Sequence, residues 1–165
     1  MINCIAIDDE PLALTQLTGY ISRVPFLNLV ASCQDAFDAM SVLSAQKIDL
    51  MFVDINMPDL NGMDFVRSLT EKPLVIFTTA YSEYAVEGFK VDALDYLLKP
   101  FEFQDLLKAA DKARRQFEYR LLEQQGEIGN ASQIKGDSLF VKSDYRVVRI
   151  DVKNIRYIEG MSEYV

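Results

Sequence analysis

The sequence predicts an α/β fold in which a doubly wound, five-stranded parallel sheet is covered by helices on both faces. Over the first 120 residues, short apolar runs alternate with longer segments that have helical spacing. Strands buried on both faces are apolar along their length, and right-handed crossovers between them produce the doubly wound arrangement. Five runs have the length of strands: Ile2–Ile7, Leu27–Ser32, Leu50–Val53, Leu74–Phe77 and Tyr96–Leu98.

Helical periodicity predicts four helices between these strands and a fifth after Pro100. The apolar positions expected in the first four are Leu14, Leu17 and Ile21; Phe37, Met40, Val42 and Leu43; Phe65, Val66 and Leu69; and Tyr84, Ala85, Gly88 and Phe89. Those expected in the fifth are Phe103, Leu106, Leu107, Ala110, Ala113, Phe117 and Leu121.

Composition and charge narrow the classes of protein. The 165 residues are half apolar and a quarter charged, with a net charge of −8, which indicates a globular chain without a broad nucleic-acid surface. Cys4 and Cys33 lie in apolar runs and are expected to be buried, reduced thiols. We find no signal peptide and no apolar run of about 18 residues, so we expect a cytoplasmic protein without membrane contact.

The pattern changes in the last third of the chain. Glycine and small polar residues break the helical spacing after Gln125 and indicate a linker over 123–137. From 138 to 165 the apolar residues alternate, which predicts short antiparallel strands such as Leu139–Lys142, Arg146–Ile150 and Ile155–Ile158. Strands this few cannot close a core alone, so we expect this second domain to be cut short.

Polar side chains stand where the predicted parallel strands end. Asp8 and Asp9 follow the first strand, Asp54 the third, Thr79 the fourth and Lys99 the fifth. Ligands of doubly wound sheets bind outside the carboxyl ends of the strands. Three carboxylates, a hydroxyl and an ammonium are therefore expected to gather at one edge.

This combination of groups indicates phosphoryl chemistry. Clustered carboxylates stay ionised only beside a cation, and oxygen ligands in a chain without histidine favour Mg²⁺ or Mn²⁺. A lysine in the same cluster suits a dianionic group, because phosphoryl transfer depends on positioning and cationic neutralisation. Asp54 is therefore a candidate nucleophile that forms an acyl phosphate, and Thr79 a donor to a phosphoryl oxygen.

These residues and their neighbours resemble the receiver domain of bacterial two-component response regulators. The resemblance covers residues 1–122 and implies a flavodoxin-like sheet of order 2-1-3-4-5, with Mg²⁺-dependent phosphotransfer from a sensor histidine kinase. The motifs that carry it are Asp8-Asp9, Asp54 with Met57-Pro58 and Gly62, Thr79-Ala80, and Tyr96-Leu97-Leu98-Lys99-Pro100-Phe101.

The resemblance also implies a role for each site residue. Asp54 would accept the phosphoryl group, Lys99 and Thr79-Ala80 would contact it, and the Lys99–Pro100 bond would be cis. The implied metal ligands are Asp8, Asp9, Asp54 and the backbone carbonyl of Asn56.

A switch is implied by the same resemblance. Phosphorylation would draw Thr79 toward the phosphoryl group and swing Tyr96 inward, biasing a face made by the fourth helix, fifth strand and fifth helix. Phosphorylation-linked homodimers are expected through that face. Asn56 and Tyr81 would flank the route of the attacking water. Residues expected on the face include Tyr84, Lys90, Val91 and Asp95.

The tail resembles the start of a LytTR-type DNA-binding domain. The matching segments are Ser138–Lys142, Val152–Gly160 and Glu163–Val165. The resemblance implies a transcriptional output for a longer protein, whereas this chain is not expected to bind DNA specifically.

Three alternatives remain open from sequence. A phosphatase of the haloacid-dehalogenase kind would need an aspartate where Asn56 stands, to act as general acid. A flavodoxin-like cofactor carrier would need a phosphate-binding loop where the acidic Asp8-Asp9-Glu10-Pro11 follows the first strand. A stand-alone receiver acting by protein contact would not need the β-rich tail. We expect no enzyme activity beyond phosphorylation and dephosphorylation of the chain's own aspartate.

Overall fold

The computed structural model describes residues 1–58, 60–81, 93–124, 138–143 and 146–151. The chain divides into two compact units, Met1–Phe117 and Glu118–Val165. The first unit contains a five-stranded parallel sheet of order β2-β1-β3-β4-β5, which confirms the predicted fold class. Its strands are β1 Ile2–Ile7, β2 Leu27–Cys33, β3 Leu50–Asp54, β4 Leu74–Thr79 and β5 Asp95–Leu98.

Three of the described helices connect strands, and each begins with a recognisable local signal. Helix α1, Pro11–Ile21, has proline in its first turn, where no backbone N–H is needed. Helix α2, Ala36–Ala45, follows Asp35, whose side chain accepts a hydrogen bond from the backbone N–H of Asp38. Helix α3, Gly62–Ser68, follows Asn61, which accepts from Met63 in the same way.

A fourth described helix, Phe103–Gln124, follows β5 and is called the long helix below. The predicted helix between β4 and β5, with Tyr84, Gly88 and Phe89, lies outside the described residues, as do Lys90 and Val91. The domain boundaries stay predictions.

Both faces of the sheet are covered, as the apolar strands predict. Alternate strand residues such as Phe52 and Ile76 pack with α1 and the long helix. The residues between them, such as Val53 and Phe77, pack with α2 and α3 on the other face. Because every second residue points to the same side, adjacent positions on one strand contribute to two separate cores.

The predicted apolar stripes are wrong at four of the described positions. Phe37 and Met40 of α2 are exposed, and so are Leu107 and Leu121 of the long helix. In α2 the buried face consists of Ala36 and Ala39, which are too small to have stood out in the pattern. Phe37 and Met40 each come one residue after a buried alanine, about 100° further around the helix, and therefore point to solvent.

The second unit contains an antiparallel pair of strands, β6 Ser138–Ser143 and β7 Arg146–Asp151. This agrees with the antiparallel pairing predicted from the alternating pattern. The third predicted strand, Ile155–Ile158, lies outside the described residues, as does the linker from residue 125 onward.

Two further features are the state of the cysteines and the length and apolarity of the helices. Cys4 and Cys33 are buried and free of disulfides, as predicted. Among the described residues, none of the helices combines the length and the apolarity needed to cross a lipid bilayer.

Candidate functional site

The carboxyl ends of the central strands bring the predicted polar residues to one edge of the sheet. Ile7 pairs with Val53, so the residues that follow β1 and end β3 are neighbours. Asp54 pairs with Thr78, and Thr79 pairs with Leu98, which places the ends of β4 and β5 beside them. The parallel register therefore assembles a site from four separate strand ends.

Lys99 joins two of the carboxylates. Its ammonium nitrogen lies 2.8 Å from Asp8 Oδ2 and 3.2 Å from Asp54 Oδ2. Both aspartates are almost completely buried. A buried charge is tolerated only when it is paired, so the lysine offsets part of the repulsion between the two acids.

Asp8, Asp9 and Asp54 bring their carboxylates together at this edge of the sheet. One carboxylate oxygen from each of Asp8, Asp9 and Asp54 lies within 4.8 Å of the other two. Asp9 is partly exposed, and the second oxygen of Asp8 accepts a hydrogen bond from the backbone N–H of Glu10 at 3.0 Å. The site is thus open to solvent on the Asp9 side and closed on the Asp8 side.

One oxygen of Asp54 is available for a ligand. Asp54 Oδ1 is buried and has no hydrogen-bond partner among the described residues. An unpaired buried carboxylate oxygen costs free energy unless something binds it. The oxygen-only set of three carboxylates, in a chain without histidine, suits a hard divalent cation such as Mg²⁺.

Burial and neighbouring charges shift the pKa values of the central pair. Burial raises the pKa of Asp54, and the charge of Asp8 raises it further, while Lys99 opposes both effects. Burial by itself would lower the pKa of Lys99. The hydrogen bond to Asp8 and the charges of both aspartates outweigh that effect, so the pKa of Lys99 is raised and the lysine stays cationic.

Thr79 is held by its own surroundings rather than by Asp54. Its hydroxyl donates to Asn56 Oδ1 at 3.4 Å and accepts from the backbone N–H of Tyr81 at 3.1 Å. Ala80, which stands between Thr79 and Tyr81 in the chain, is exposed. The threonine hydroxyl is therefore next to the site but engaged elsewhere.

Tyr96 packs against the sheet on the α2 and α3 side. Its ring centroid lies 5.5 Å from that of Phe77, and burial raises the pKa of its hydroxyl.

The Lys99–Pro100 peptide bond is cis, as the resemblance implies. The backbone N–H of Lys99 donates to the carbonyl of Thr79 at 2.7 Å, which holds the start of this segment against β4.

Gly62 has a structural role that its place in the sequence motif does not show. A Cβ atom at this position would lie 2.1 Å from the carbonyl oxygen of Asp54 and 2.9 Å from a methyl group of Val53. The helix therefore begins directly against the strand that carries Asp54. Its only sequence signal is a glycine at a helix start.

The chain is similar to proteins of one known family. Residues 4–111 match the family described as "Response regulator receiver domain". The chain belongs to this family. A solved structure, the response regulatory domain of protein mrkE from Klebsiella pneumoniae, is 32% identical with a TM-score of 0.65, and the match covers 72% of this chain and 99% of that one.

Two curated relatives extend the similarity of this receiver beyond its sheet. The sensory transduction protein LytT of Enterococcus faecalis is 32% identical over 172 residues, covering 99% of this chain and 71% of the relative. Protein MrkE of Klebsiella pneumoniae is 30% identical over 159 residues, covering 94% of this chain and 59% of the relative. The chain thus spans about three fifths to seven tenths of these relatives.

Membership of the family fits a two-component response regulator and gives no support to the phosphatase alternative. Receiver domains interact with histidine kinases and form dimers. The structure brings Asp8, Asp9, Asp54 and Lys99 into one cluster, with Thr79 at its border.

Proposed function

We propose that this receiver takes a phosphoryl group onto Asp54 and transmits the change to an output domain. The observation that carries the proposal is the buried Asp54 Oδ1, which has no hydrogen-bond partner among the described residues, although Asp54 Oδ2 lies 3.2 Å from the Lys99 ammonium. A carboxylate held with one oxygen paired and the other without a partner is suited to act as a nucleophile.

A divalent cation, Mg²⁺ or Mn²⁺, is part of the proposal. Asp8, Asp9 and Asp54 would hold it through their carboxylates, and the backbone carbonyl of Asn56 would complete the protein ligands. When bound, the cation neutralises the phosphoryl oxygens and the carboxylate cluster together.

The chain's own groups would orient the incoming phosphoryl donor. Lys99 supplies a fixed positive charge beside Asp54 Oδ2, where charge develops on the phosphoryl oxygens. Thr79 would exchange its present bond to Asn56 for one to a phosphoryl oxygen, and the backbone N–H of Ala80 would contact another. A phosphoryl group thus offers Thr79 a partner that the 3.4 Å bond to Asn56 cannot match.

The proposed readout of phosphorylation is a two-state shift. Movement of Thr79 would free the space that lets Tyr96 move inward from its packing beside Phe77. A sensor histidine kinase would be the donor. The phosphorylated form would dimerise through the face that includes β5 and the long helix, where Lys112 lies 2.7 Å from Asp95.

The second unit is proposed to be the beginning of a LytTR-type DNA-binding domain. Its antiparallel β6–β7 pair and the similarity of nearly the whole chain to a LytT protein support this assignment. DNA binding would then belong to a longer protein. The net charge of −8 argues against specific DNA binding by these 165 residues alone. We also propose a cytoplasmic location, since the chain belongs to the receiver family and none of its described helices could cross a membrane.

The chemistry of the chain would be confined to its own aspartate. A hydrolase of small phosphate esters needs a general acid beside the nucleophile, and Asn56 stands where a dehalogenase-type enzyme has an aspartate. We therefore expect one phosphoryl group per chain and no turnover of external esters.

The proposal is tested by incubating the chain with Mg²⁺ and acetyl phosphate and following the intact mass. We expect a single phosphoryl adduct that Asp54→Ala abolishes. Asp64→Ala, which removes an exposed aspartate on α3, is the matched control and should retain the adduct. An adduct that persists in Asp54→Ala, or rapid hydrolysis of p-nitrophenyl phosphate without an adduct, would contradict the proposal.

A further inference from the structure

Tyr20 of α1 forms an aromatic cluster with two residues of the segment that follows Lys99. The ring of Tyr20 lies 6.3 Å from that of Phe101 and 5.8 Å from that of Phe103, with edge-to-face angles of 62° and 64°. Phe101 and Phe103 come two and four residues after Lys99. One ring on α1 therefore contacts both aromatic residues next to the charged side chain.

Polar contacts keep this ring in place. The amide of Gln16 donates a hydrogen bond to the Tyr20 hydroxyl at 3.2 Å, one turn earlier on α1. The guanidinium carbon of Arg23 lies 3.9 Å from the centre of the Phe103 ring and 6.0 Å from that of Tyr20. Edge-to-face pairs and cation–π contacts prefer particular angles, so the cluster restricts orientation as well as filling space.

We propose that Tyr20 is a positioning residue for Lys99, an inference that rests on the proposed phosphorylation of Asp54. The backbone of Lys99 is anchored on its upstream side by the hydrogen bond from its N–H to the carbonyl of Thr79 at 2.7 Å. On the downstream side the anchors are Phe101 and Phe103 against Tyr20. Both anchors are needed to fix where the long lysine side chain starts.

The position of the Lys99 backbone matters because the lysine side chain must contact Asp8 and Asp54 at the same time. Its ammonium lies between Asp8 and Asp54, at 2.8 and 3.2 Å. Lysine has a flexible stem with a point charge at its end, so its placement depends on the backbone that carries it. Loosening the downstream anchor would spread the ammonium over positions that no longer face Asp54.

Simple packing of α1 on the long helix is the rival explanation. Phe26 provides the matched control, because it packs on the same core and its ring lies 5.3 Å from the guanidinium carbon of Arg114, further along the long helix. Phe26 lies just before β2, so Phe26→Ala should weaken packing against the long helix without releasing the Lys99 segment. Tyr20→Phe keeps the ring and removes only the hydroxyl.

The test compares the rate of adduct formation from acetyl phosphate at saturating Mg²⁺ with the affinity for Mg²⁺. In Tyr20→Ala we expect the rate to fall about tenfold, as small misplacements of a reacting group do. Mg²⁺ affinity should not fall, because Lys99 is no metal ligand and its ammonium competes with the cation for Asp8 and Asp54. Tyr20→Phe should restore most of the rate, and Phe26→Ala should leave it near the native value.

The outcomes separate this inference from the proposed function. Equal rates in Tyr20→Ala, Phe26→Ala and the native chain would overturn the role of Tyr20 alone, as would equal slowing in both alanine variants. A native chain that forms no adduct would overturn the proposed function and this inference together. If Tyr20→Ala does not fold, Tyr20→Leu keeps the apolar volume without the ring, and the same rate and affinity comparison decides.

Discussion

The backbone N–H of Gly62 donates a hydrogen bond to the carbonyl of Ile55 at 2.9 Å, and this contact draws the start of α3 against the end of β3. A Cβ atom on Gly62 would lie 2.1 Å from the Asp54 carbonyl oxygen, well inside van der Waals contact. The close approach requires glycine. The start of α3 therefore packs directly on β3, the strand that carries the proposed phosphoacceptor Asp54.

Replacing Gly62 by alanine should therefore destabilise the domain. Because the clash is with backbone rather than a flexible side chain, α3 or β3 must shift, at a cost of about 1–3 kcal/mol in the free energy of unfolding. Gly19→Ala is the matched control, since its Cβ meets nothing within 4 Å in helix α1. That variant should be stabilised by up to about 1 kcal/mol. Urea unfolding of both variants would check this, and equal effects would contradict the role given to Gly62.

Lys99→Met should destabilise the chain in the absence of divalent cations. The change removes the positive charge between two nearly buried aspartates and leaves their repulsion uncompensated, at a cost of about 3–5 kcal/mol. Added Mg²⁺ should recover more stability in this variant than in the native chain. The measurement is urea unfolding with and without Mg²⁺, with the exposed Lys72→Met as control. An unchanged unfolding midpoint would show that the bridge contributes little.

Removal of Asp9 should abolish stabilisation by Mg²⁺. A ligand that binds only the folded chain adds about 2.7 kcal/mol at a concentration one hundred times its dissociation constant. Asp9 is the partly exposed member of the cluster, so Asp9→Asn should cost little stability in the absence of the ion. Thermal unfolding over a Mg²⁺ series would measure this. The exposed Glu71→Gln should respond to Mg²⁺ like the native chain. Full retention of the Mg²⁺ response in Asp9→Asn would exclude Asp9 as a ligand.

The two cysteines should be unreactive in the folded chain. Burial, with a smaller effect from the charge of Asp49, raises the pKa of Cys4 to about 12. Burial, with Asp38 and Asp35, raises that of Cys33 to about 11. Both thiols therefore stay protonated at pH 8, and the thiolate is the reactive form. Iodoacetamide labelling followed by mass spectrometry should show no modification until denaturant is added. Fast labelling of either thiol in the native chain would contradict its burial.

Much of the first unit follows from local patterns. Apolar runs located the five strands to within about two residues, because a strand covered on both faces needs apolar side chains throughout. The acidic residues, Thr79 and Lys99 were picked out because parallel strands bring their carboxyl ends to one edge. These inferences depend only on chain order and on the chemistry of each residue.

Other features arise from contacts between elements distant in the sequence. The exposure of Phe37 and Met40 follows from which face of α2 packs on the sheet, and the apolar pattern alone did not identify the face with Ala36 and Ala39. The clearance at Gly62 and the cluster of Tyr20 with Phe101 and Phe103 join segments from different parts of the fold.

Residue types and their order along the chain thus decided which groups meet at the edge of the sheet. Only the folded arrangement decided the 2.8 and 3.2 Å contacts of Lys99 and the unpaired oxygen of Asp54. The physical reason is that periodicity reflects burial averaged along one element. Differences of a few tenths of an ångström in a contact distance depend on how several elements pack against one another.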